Sequence, residues 1–441
     1  METMLFRTCL KHSKVVADEV TRRTIAAIFR LPIRLLASAA TIFRQALAVV
    51  WRKAGIGFWL CWLFASSAPS AEAPVALKLP DAPDISFRNE IQRAIDRGLE
   101  SLRARQDTNG YWSTADHPAM TALALMAFLG EPKTPYQTNP PAFINNGYAF
   151  ILSCIKSDGS IYAKRELINY NTATSMMALL AANRPEFEPT LRKARAFLIR
   201  QQVDLGEKGQ IDTPFDGGVG YGSKYEHSDM SNTLLALEAL YYSRHLKEDK
   251  ALADAKDLNW EAAVHFIQSC QNLPSHNLQD WVSHNPKDRG GFVYYPGQSM
   301  AGGETNQATG RVALRSYGSI SYAGLLSYIY ANLKKDDPRV AAVFDWLRQN
   351  YTLEENPGMG PQGLYYYLHT MAKALSLYGV DILELRNGAK INWRKELAMK
   401  LINLQQNDGS WSNGNGRWWE RDPNLVTAYA VIALEMIYRG I

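Results

Sequence analysis

The segment Glu226-His227-Ser228-Asp229 sets an imidazole between two carboxylic acids. A histidine beside carboxylates is the best general acid–base candidate in the chain, because imidazole changes charge near neutral pH. Glu226 and Asp229 are three residues apart and share one face if that stretch is helical. A second histidine, His369, closes the run Tyr365-Tyr366-Tyr367-Leu368-His369. A lone histidine in such an apolar run serves either as a base or as a hydrogen-bonded core residue. His227, Asp229, His369 and Glu226 are therefore the catalytic candidates. Asp116, His117, Tyr170, Tyr317, Tyr365, Tyr367, Trp418, Trp419 and Arg315 are the candidates for substrate binding. Arginine at the end of the long segment 272–315 has the reach to meet an anionic group. The bland alternative is capping: Asp and Asn at helix starts accept free backbone N–H groups, which fits Asp229, Asn171 and Asp422. The four cysteines share no CxxC spacing, so neither a zinc finger nor a disulfide scaffold is expected. No metal and no cofactor is expected.

These residues fall at one recurring place in a repeat. From residue 89 onward the chain alternates an amphipathic helix, a Gly/Asp-rich turn often carrying an aromatic, and a second helix rich in Ala, Leu and Met. First helices begin near residues 91, 143, 190, 260, 339 and 394. The second helices (TALALMAFL, TSMMALLAA, NTLLALEAL, SYAGLLSYI, HTMAKALSL, VTAYAVIAL) are apolar on most sides, the mark of a buried helix. The expected fold is all-α: an (α/α)6 toroid of six helical hairpins in two concentric rings, second helices inside. An open solenoid is the alternative. In the closed ring all candidate residues gather at one mouth, where six helix N-termini would attract anions, above an apolar shaft. The fourth unit carries a long insert, 272–315, which is functional or mobile.

The turn Gln405-Gln406-Asn407-Asp408-Gly409-Ser410-Trp411 resembles the QW motif of squalene cyclases, with a looser copy in Gln106, Gly110 and Trp112. Gly217-Gly218-Val219-Gly220 and Gly290-Gly291-Phe292 resemble turns of protein prenyltransferase β-subunits. The resemblance places 89–441 in the squalene cyclase/prenyltransferase superfamily of toroids and implies an isoprenoid-like substrate. It also exposes departures. The cyclases' Asp-x-Asp-Asp-Thr acid motif reads Asp229-Met230-Ser231-Asn232-Thr233 here, with serine at the proton-donating place. The prenyltransferase zinc ligands Asp and Cys are missing at Arg315–Ser321, although Tyr367-Leu368-His369-Thr370 matches their histidine segment.

The formal net charge of +5 is unevenly placed. Residues 1–53 hold ten Lys/Arg against three acids, so they carry 10 − 3 = +7, and the rest carries 5 − 7 = −2. A slightly acidic body without a P-loop or GxGxxG excludes nucleotide and nucleic-acid binding as the expected role. The domains read as a basic leader 1–53, a signal peptide or anchor 54–73, a linker 74–88 and the toroid 89–441. Residues 54–65 are apolar between Arg52-Lys53 and a small-residue stretch, the pattern of an export signal, shorter than the roughly 20 residues of a membrane span. Export to the periplasm or cell exterior is expected, with anchoring through residues 54–68 and contact with a membrane surface as variants. Three functions stay open: a toroid that binds or transforms a small hydrophobic, isoprenoid-like ligand as a cyclase or transferase; a secreted carbohydrate-active α/α-barrel enzyme; and a non-catalytic binding module.

Overall fold

A computed structural model describes residues 85–133, 135–222, 227–248 and 257–441. The leader, the apolar segment 54–73 and the linker as far as residue 84 lie outside the described residues. Twelve long helices form six hairpins: α1 (Ile85–Ala104) with α2 (Pro118–Gly130), α3 (Ala142–Ser153) with α4 (Ile168–Ala182), and α5 (Glu188–Arg200) with α6 (Met230–Tyr242). They continue with α7 (Trp260–Ser269) and α8 (Gly318–Tyr330), α9 (Pro338–Gln349) and α10 (Leu364–Tyr378), and α11 (Trp393–Leu404) and α12 (Pro423–Arg439). The first helix starts at Ile85, so Ile85 to Arg88 belong to the toroid rather than to the linker.

The even-numbered helices pack on one another in sequence, and α12 packs on α2. The inner ring is therefore closed, and the open solenoid is ruled out. The odd-numbered helices lie outside it, with α3, α5 and α9 each against the inner helix of the preceding repeat, and α1 against α12. The segregation follows the sequence: α2 and α8 are buried almost throughout, whereas α1 and α5 bury a single stripe such as Ile91, Ile95, Leu99 and Leu102. No helix of the described residues is long and apolar enough to cross a membrane.

Four of the six junctions between repeats share one device. The Gln106 side-chain amide donates to the Gly110 carbonyl of its own turn and to the Phe143 carbonyl of the next outer helix, both at 2.9 Å. Gln202, Gln271 and Gln405 do the same, reaching the carbonyls of Asn259, Arg339 and Ala94 at 2.8–2.9 Å. The Gln405 clasp joins the last repeat to the first. The turn glycines take left-handed backbone angles (Gly110 φ 90°, Gly409 φ 82°), and a Cβ on either would run into a carbonyl of the next outer helix, Asn146 or Arg97. Trp112 and Trp411 seal two of the turns, each ring N–H donating to its own outer helix, at Leu102 (2.7 Å) and Leu401 (2.8 Å). An inner-helix hydroxyl (Thr121, Thr172, Thr233, Ser321 or Thr427) then accepts the turn's backbone N–H at 2.9–3.1 Å.

The insert 272–315 is ordered. Asn272 donates to the Leu314 carbonyl and the Ser316 hydroxyl, both at 2.9 Å, and Asp288 accepts from the Ser316 backbone N–H at 2.9 Å. It holds an antiparallel hairpin of β1 (Gly303–Thr305) and β2 (Val312–Leu314), with Gly303 opposite Leu314. A second hairpin, β3 (Ile382–Glu384) with β4 (Lys390–Asn392), links α10 to α11. Cys154 and Cys270 are buried thiols at the ends of α3 and α7.

The seam between the last and first repeats is a test of the clasp. Gln405→Ala leaves two carbonyls without their donor and is expected to cost about 1–3 kcal/mol of stability in urea denaturation. Gly409→Ala is expected to cost more, because it combines a left-handed backbone with a collision against α1. A neutral Gly409→Ala would refute this account of closure.

Candidate functional site

All six inner helices begin at the same end of the ring, and their first N–H groups need acceptors. Asp229 caps α6, accepting from the Asn232 backbone N–H at 3.0 Å. Asp422 caps α12, accepting from the Asn424 N–H at 2.8 Å. Three helices are capped from a neighbouring repeat. Asn171 of α4 accepts from Ala119 N–H of α2 at 3.2 Å. Asn356 accepts from Ser319 N–H of α8, and Glu420 from Tyr366 N–H of α10, both at 2.8 Å. The expectation of an anion-attracting mouth is thereby weakened: five of the six helix starts have a side-chain acceptor, and three of those five acceptors are carboxyl groups that offset the helix dipoles.

The expectation of an apolar shaft also needs correction. Tyr170, Ser231 and Tyr366 in the first turns of α4, α6 and α10, and Met177, Leu235 and Lys373 farther along the same helices, are partly exposed where most neighbours are buried. Their spacings of four and seven put each pair on one face, and these faces line the lumen. The hydroxyls of Tyr366 and Ser231 meet between α10 and α6, and those of Tyr170 and Tyr429 between α4 and α12. Deeper in, Lys373 of α10 binds both carboxylate oxygens of Glu238 of α6, at 2.8 and 3.0 Å. The lumen is a tyrosine-rich chamber with an ion pair across it.

Asp229 is fully buried. Burial lifts its carboxyl from the ordinary 3.8 to about 6, against the opposing hydrogen bonds from Asn232, Tyr294 and the Ser231 backbone. Its oxygens also accept the Asn232 side-chain amide at 2.7 Å. The Tyr294 hydroxyl reaches the carboxyl group and lies 2.6 Å from the Tyr221 hydroxyl. Tyr294 comes from the ordered insert, whose backbone also accepts the Met230 N–H at 3.0 Å. A buried acid thus connects through the Tyr294 phenol to the partly exposed Tyr221.

His227 turns its Nδ1 to the Ser228 carbonyl, 3.2 Å away, and lies against Tyr295, with ring centroids 4.4 Å apart. Glu226 lies outside the described residues. His369 is buried, 5.0 Å from the Tyr429 ring, and its Nδ1 has no hydrogen-bond partner among the described residues. Burial and then nearby Lys373 push its imidazole down to about 3, opposed by the Tyr429 backbone, so it is neutral at physiological pH. His117 heads α2 without capping it. It stands 3.4 Å from Asn171 and 4.9 Å from the Trp419 ring, and burial lowers its pKa. Trp418 and Trp419 are exposed at the rim, both with left-handed backbone (φ 55° and 67°). Asp116 is exposed, and Arg315 is on the surface, paired with Glu304 at 3.1 Å.

Of the consecutive tyrosines, Tyr366 faces the lumen. Tyr367 points away from it, donating to the Thr352 carbonyl at 2.9 Å and packing on Tyr322, and Tyr365 is buried, its pKa lifted to about 12 by burial and then by Glu420. Each helical step turns the side chain by about 100°, so neighbours cannot share a face. Tyr317, buried at the start of α8, is close enough to Tyr366 and Asp229 for their charges to raise its pKa beyond the effect of burial. Sequence reasoning passed over Tyr221, Tyr294, Tyr429, Lys373 and Glu238. The last two carried a signal: each is the lone charge in its apolar inner-helix segment, and a buried charge needs a partner.

No known protein-family profile matches the chain. The terpene cyclase/mutase ntnI of Nectria sp is 29% identical over 153 residues, 31% of this chain and 20% of the relative, so the match spans about a fifth of that protein. Among solved structures, cellobiose 2-epimerase from Bacillus thermoamylovorans overlays with a TM-score of 0.50 at 11% identity, covering 80% of this chain and 100% of that one. The type II terpene cyclase MstE from Scytonema overlays with a TM-score of 0.44 at 11% identity, covering 79% and 98%.

The two shifted groups tilt stability in opposite directions. The raised Asp229 contributes stability that is present below about pH 4 and lost as pH rises through about 6; the depressed His369 contributes stability present above pH 6.5 and lost as pH falls through about 3. Melting temperatures across this range should lose the first slope in Asp229→Asn, which keeps the cap, and the second in His369→Phe. In architecture the chain is a closed (α/α)6 toroid.

Proposed function

We propose that this toroid binds a neutral, isoprenoid-like molecule in its lumen and transforms it by general-acid chemistry, with Asp229 as the acid. The observation that carries the reading is the buried Asp229 carboxyl, raised to about 6 and linked through Tyr294 to Tyr221. Near pH 6 about half of it is protonated. Its proton passes to the Tyr294 oxygen as the Tyr294 proton moves to Tyr221 and the Tyr221 proton moves to the substrate. A carboxylate and a substrate cation result. An epoxide or carbonyl oxygen is a suitable acceptor, being far more basic than an isolated alkene. The faces of Tyr170, Tyr366 and Tyr429 suit a cation in the lumen. Occupied helix caps favour a neutral ligand over a diphosphate. The partial likeness to a terpene cyclase/mutase supports the substrate class. Export or anchoring through residues 54–68 belongs to the same proposal and rests on the apolar segment behind Arg52-Lys53.

The exposed pair Trp418 and Trp419 favours a second reading, in which the rim stacks against sugar rings of a carbohydrate substrate. Asp422 and Glu420 are engaged as helix caps, which leaves Asp229 and the exposed Asp116 as the described mouth acids open to that reading.

The test is conversion of a panel of isoprenoids and their epoxides by the full-length chain, read by mass spectrometry. Asp229→Asn is expected to lower turnover by about 10²–10⁴-fold while binding stays within twofold. Wild-type turnover should fall as pH rises through about 6. Unchanged turnover in Asp229→Asn would remove Asp229 from the chemistry. Binding of oligosaccharides that disappears in Trp418→Ala/Trp419→Ala, with no isoprenoid bound, would select the second reading.

A further inference from the structure

The deep end of the lumen carries polar groups that the acid chemistry does not use. Lys373 and Glu238 stand on α10 and α6, which are not neighbours in the ring but both pack on α8. Glu238 is 5% exposed and crowded by Tyr330 and Tyr242. Lys373 spends two contacts on Glu238, and its partly exposed side chain shares the luminal face with Tyr366. One turn toward the mouth on α10 stands His369, 7% exposed, with a ring nitrogen that nothing in the described protein satisfies. An unpaired polar atom in a buried place costs free energy unless a ligand or water meets it.

The ion pair is neutral overall, so it does not call for a charged ligand. An ammonium with a proton to spare beside an imidazole that keeps one unsatisfied nitrogen suits a hydroxyl, which accepts from Lys373 and shares a proton with His369. We infer that the lumen takes an isoprenoid alcohol, hydroxyl end first, with that hydroxyl held between Lys373 and His369. The inference rests on the isoprenoid reading above and fixes the ligand's polarity and direction. Asp229, the cap of α6, and Glu238 are nine positions apart, about 14 Å of helix rise. A chain laid over Leu235 and Met177 with its hydroxyl at Lys373 presents its far end to the Tyr221 and Asp229 level. Lys373, Glu238 and His369 are thus positioning and specificity residues, separate from the acid.

The experiment compares equilibrium binding of tritiated farnesol and of the hydrocarbon that lacks its hydroxyl to the full-length chain. The alcohol is expected to bind at least about tenfold more tightly. His369→Phe, and the double variant Glu238→Leu/Lys373→Met, should each bring the two ligands within about twofold, with hydrocarbon affinity retained. The double variant removes both charges together, so neither is left buried alone, and His369→Phe reads the same preference without touching the pair. Equal binding of both ligands by the wild type would overturn the inference and leave the isoprenoid reading standing. A preference that survives in both variants would also overturn it, because the hydroxyl would then sit elsewhere. Binding of neither ligand would overturn the isoprenoid reading itself.

Discussion

The fold depends on outer helices being able to lie directly against the preceding turn. A closed ring of hairpins has no free end to absorb misfit, so each repeat must meet the next at a fixed distance. The turn glycines set that distance. At Gly110, Gly159, Gly217, Gly290 and Gly409 a side chain would collide with a backbone carbonyl of the following outer helix, on Asn146, Lys193, Ala262, Ala342 and Arg97. The glutamines then convert contact into specificity, since one amide has two N–H donors and each repeat offers two carbonyls. Repeats two and five have Ile155 and Tyr351 where the other four have glutamine; in repeat two Arg200 of the next outer helix donates to the Asp158 carbonyl at 2.9 Å instead, and in repeat five the Tyr351 hydroxyl donates to Glu396 at 3.1 Å. The chemistry of the joint is replaceable, whereas the close approach is kept in five of the six turns.

Closing the ring creates the electrostatic problem at the mouth. Six helix starts converge there, and the protein answers mostly from within. Capping across repeats by Asn171, Asn356 and Glu420 ties adjacent hairpins together at the rim, while the glutamines tie them at the outer ring. The same bonds consume the donors that would have drawn an anion. A structural need therefore narrows the ligand class, and it leaves Asp229 in a double role. Its acceptor bonds hold α6, and its burial keeps the proton on it at a pH where an exposed aspartate has lost its own.

The architecture was legible from the sequence because the signals are local. Ala/Leu-rich inner helices, charged outer faces and glycine at the turns all repeat within tens of residues, and they lead to six hairpins and closure. Asp229 and Asp422 as caps were legible for the same reason, since a cap acts within three residues. What stayed hidden is non-local. Asn171 reads as the cap of its own helix but accepts from α2, 52 residues away. Tyr294 lies in an insert whose polar composition suggests a loop and gives no sign of its contact with Asp229. The choice of Tyr366 over Tyr365 and Tyr367 turns on helix phase, and an error of one residue in a helix start changes the answer. Lys373 and Glu238, 135 residues apart, were visible as odd charges in apolar helices, but pairing them requires the ring.

A ring of like repeats cannot by itself hold a molecule with two different ends. Direction has to come from departures from the repeat, and these gather on α6, α8 and α10. Asp229, Ser231 and Glu238 lie at or on α6, Tyr317 heads α8, and Tyr366, His369 and Lys373 lie on α10. The insert that carries Tyr294 joins the same side, between α7 and α8, with its backbone bonded to Met230. On the opposite wall, α2 and α12, the residues that keep some exposure are mostly aliphatic, such as Met120, Leu123 and Ile432, with Tyr429 as the polar contact to α4. A polar wall with an acid near one end and an ion pair near the other, facing a smoother apolar wall, gives the lumen both a side and a direction. The repeats supply the rigidity that keeps these few side chains at fixed separations, and the broken symmetry supplies the selectivity.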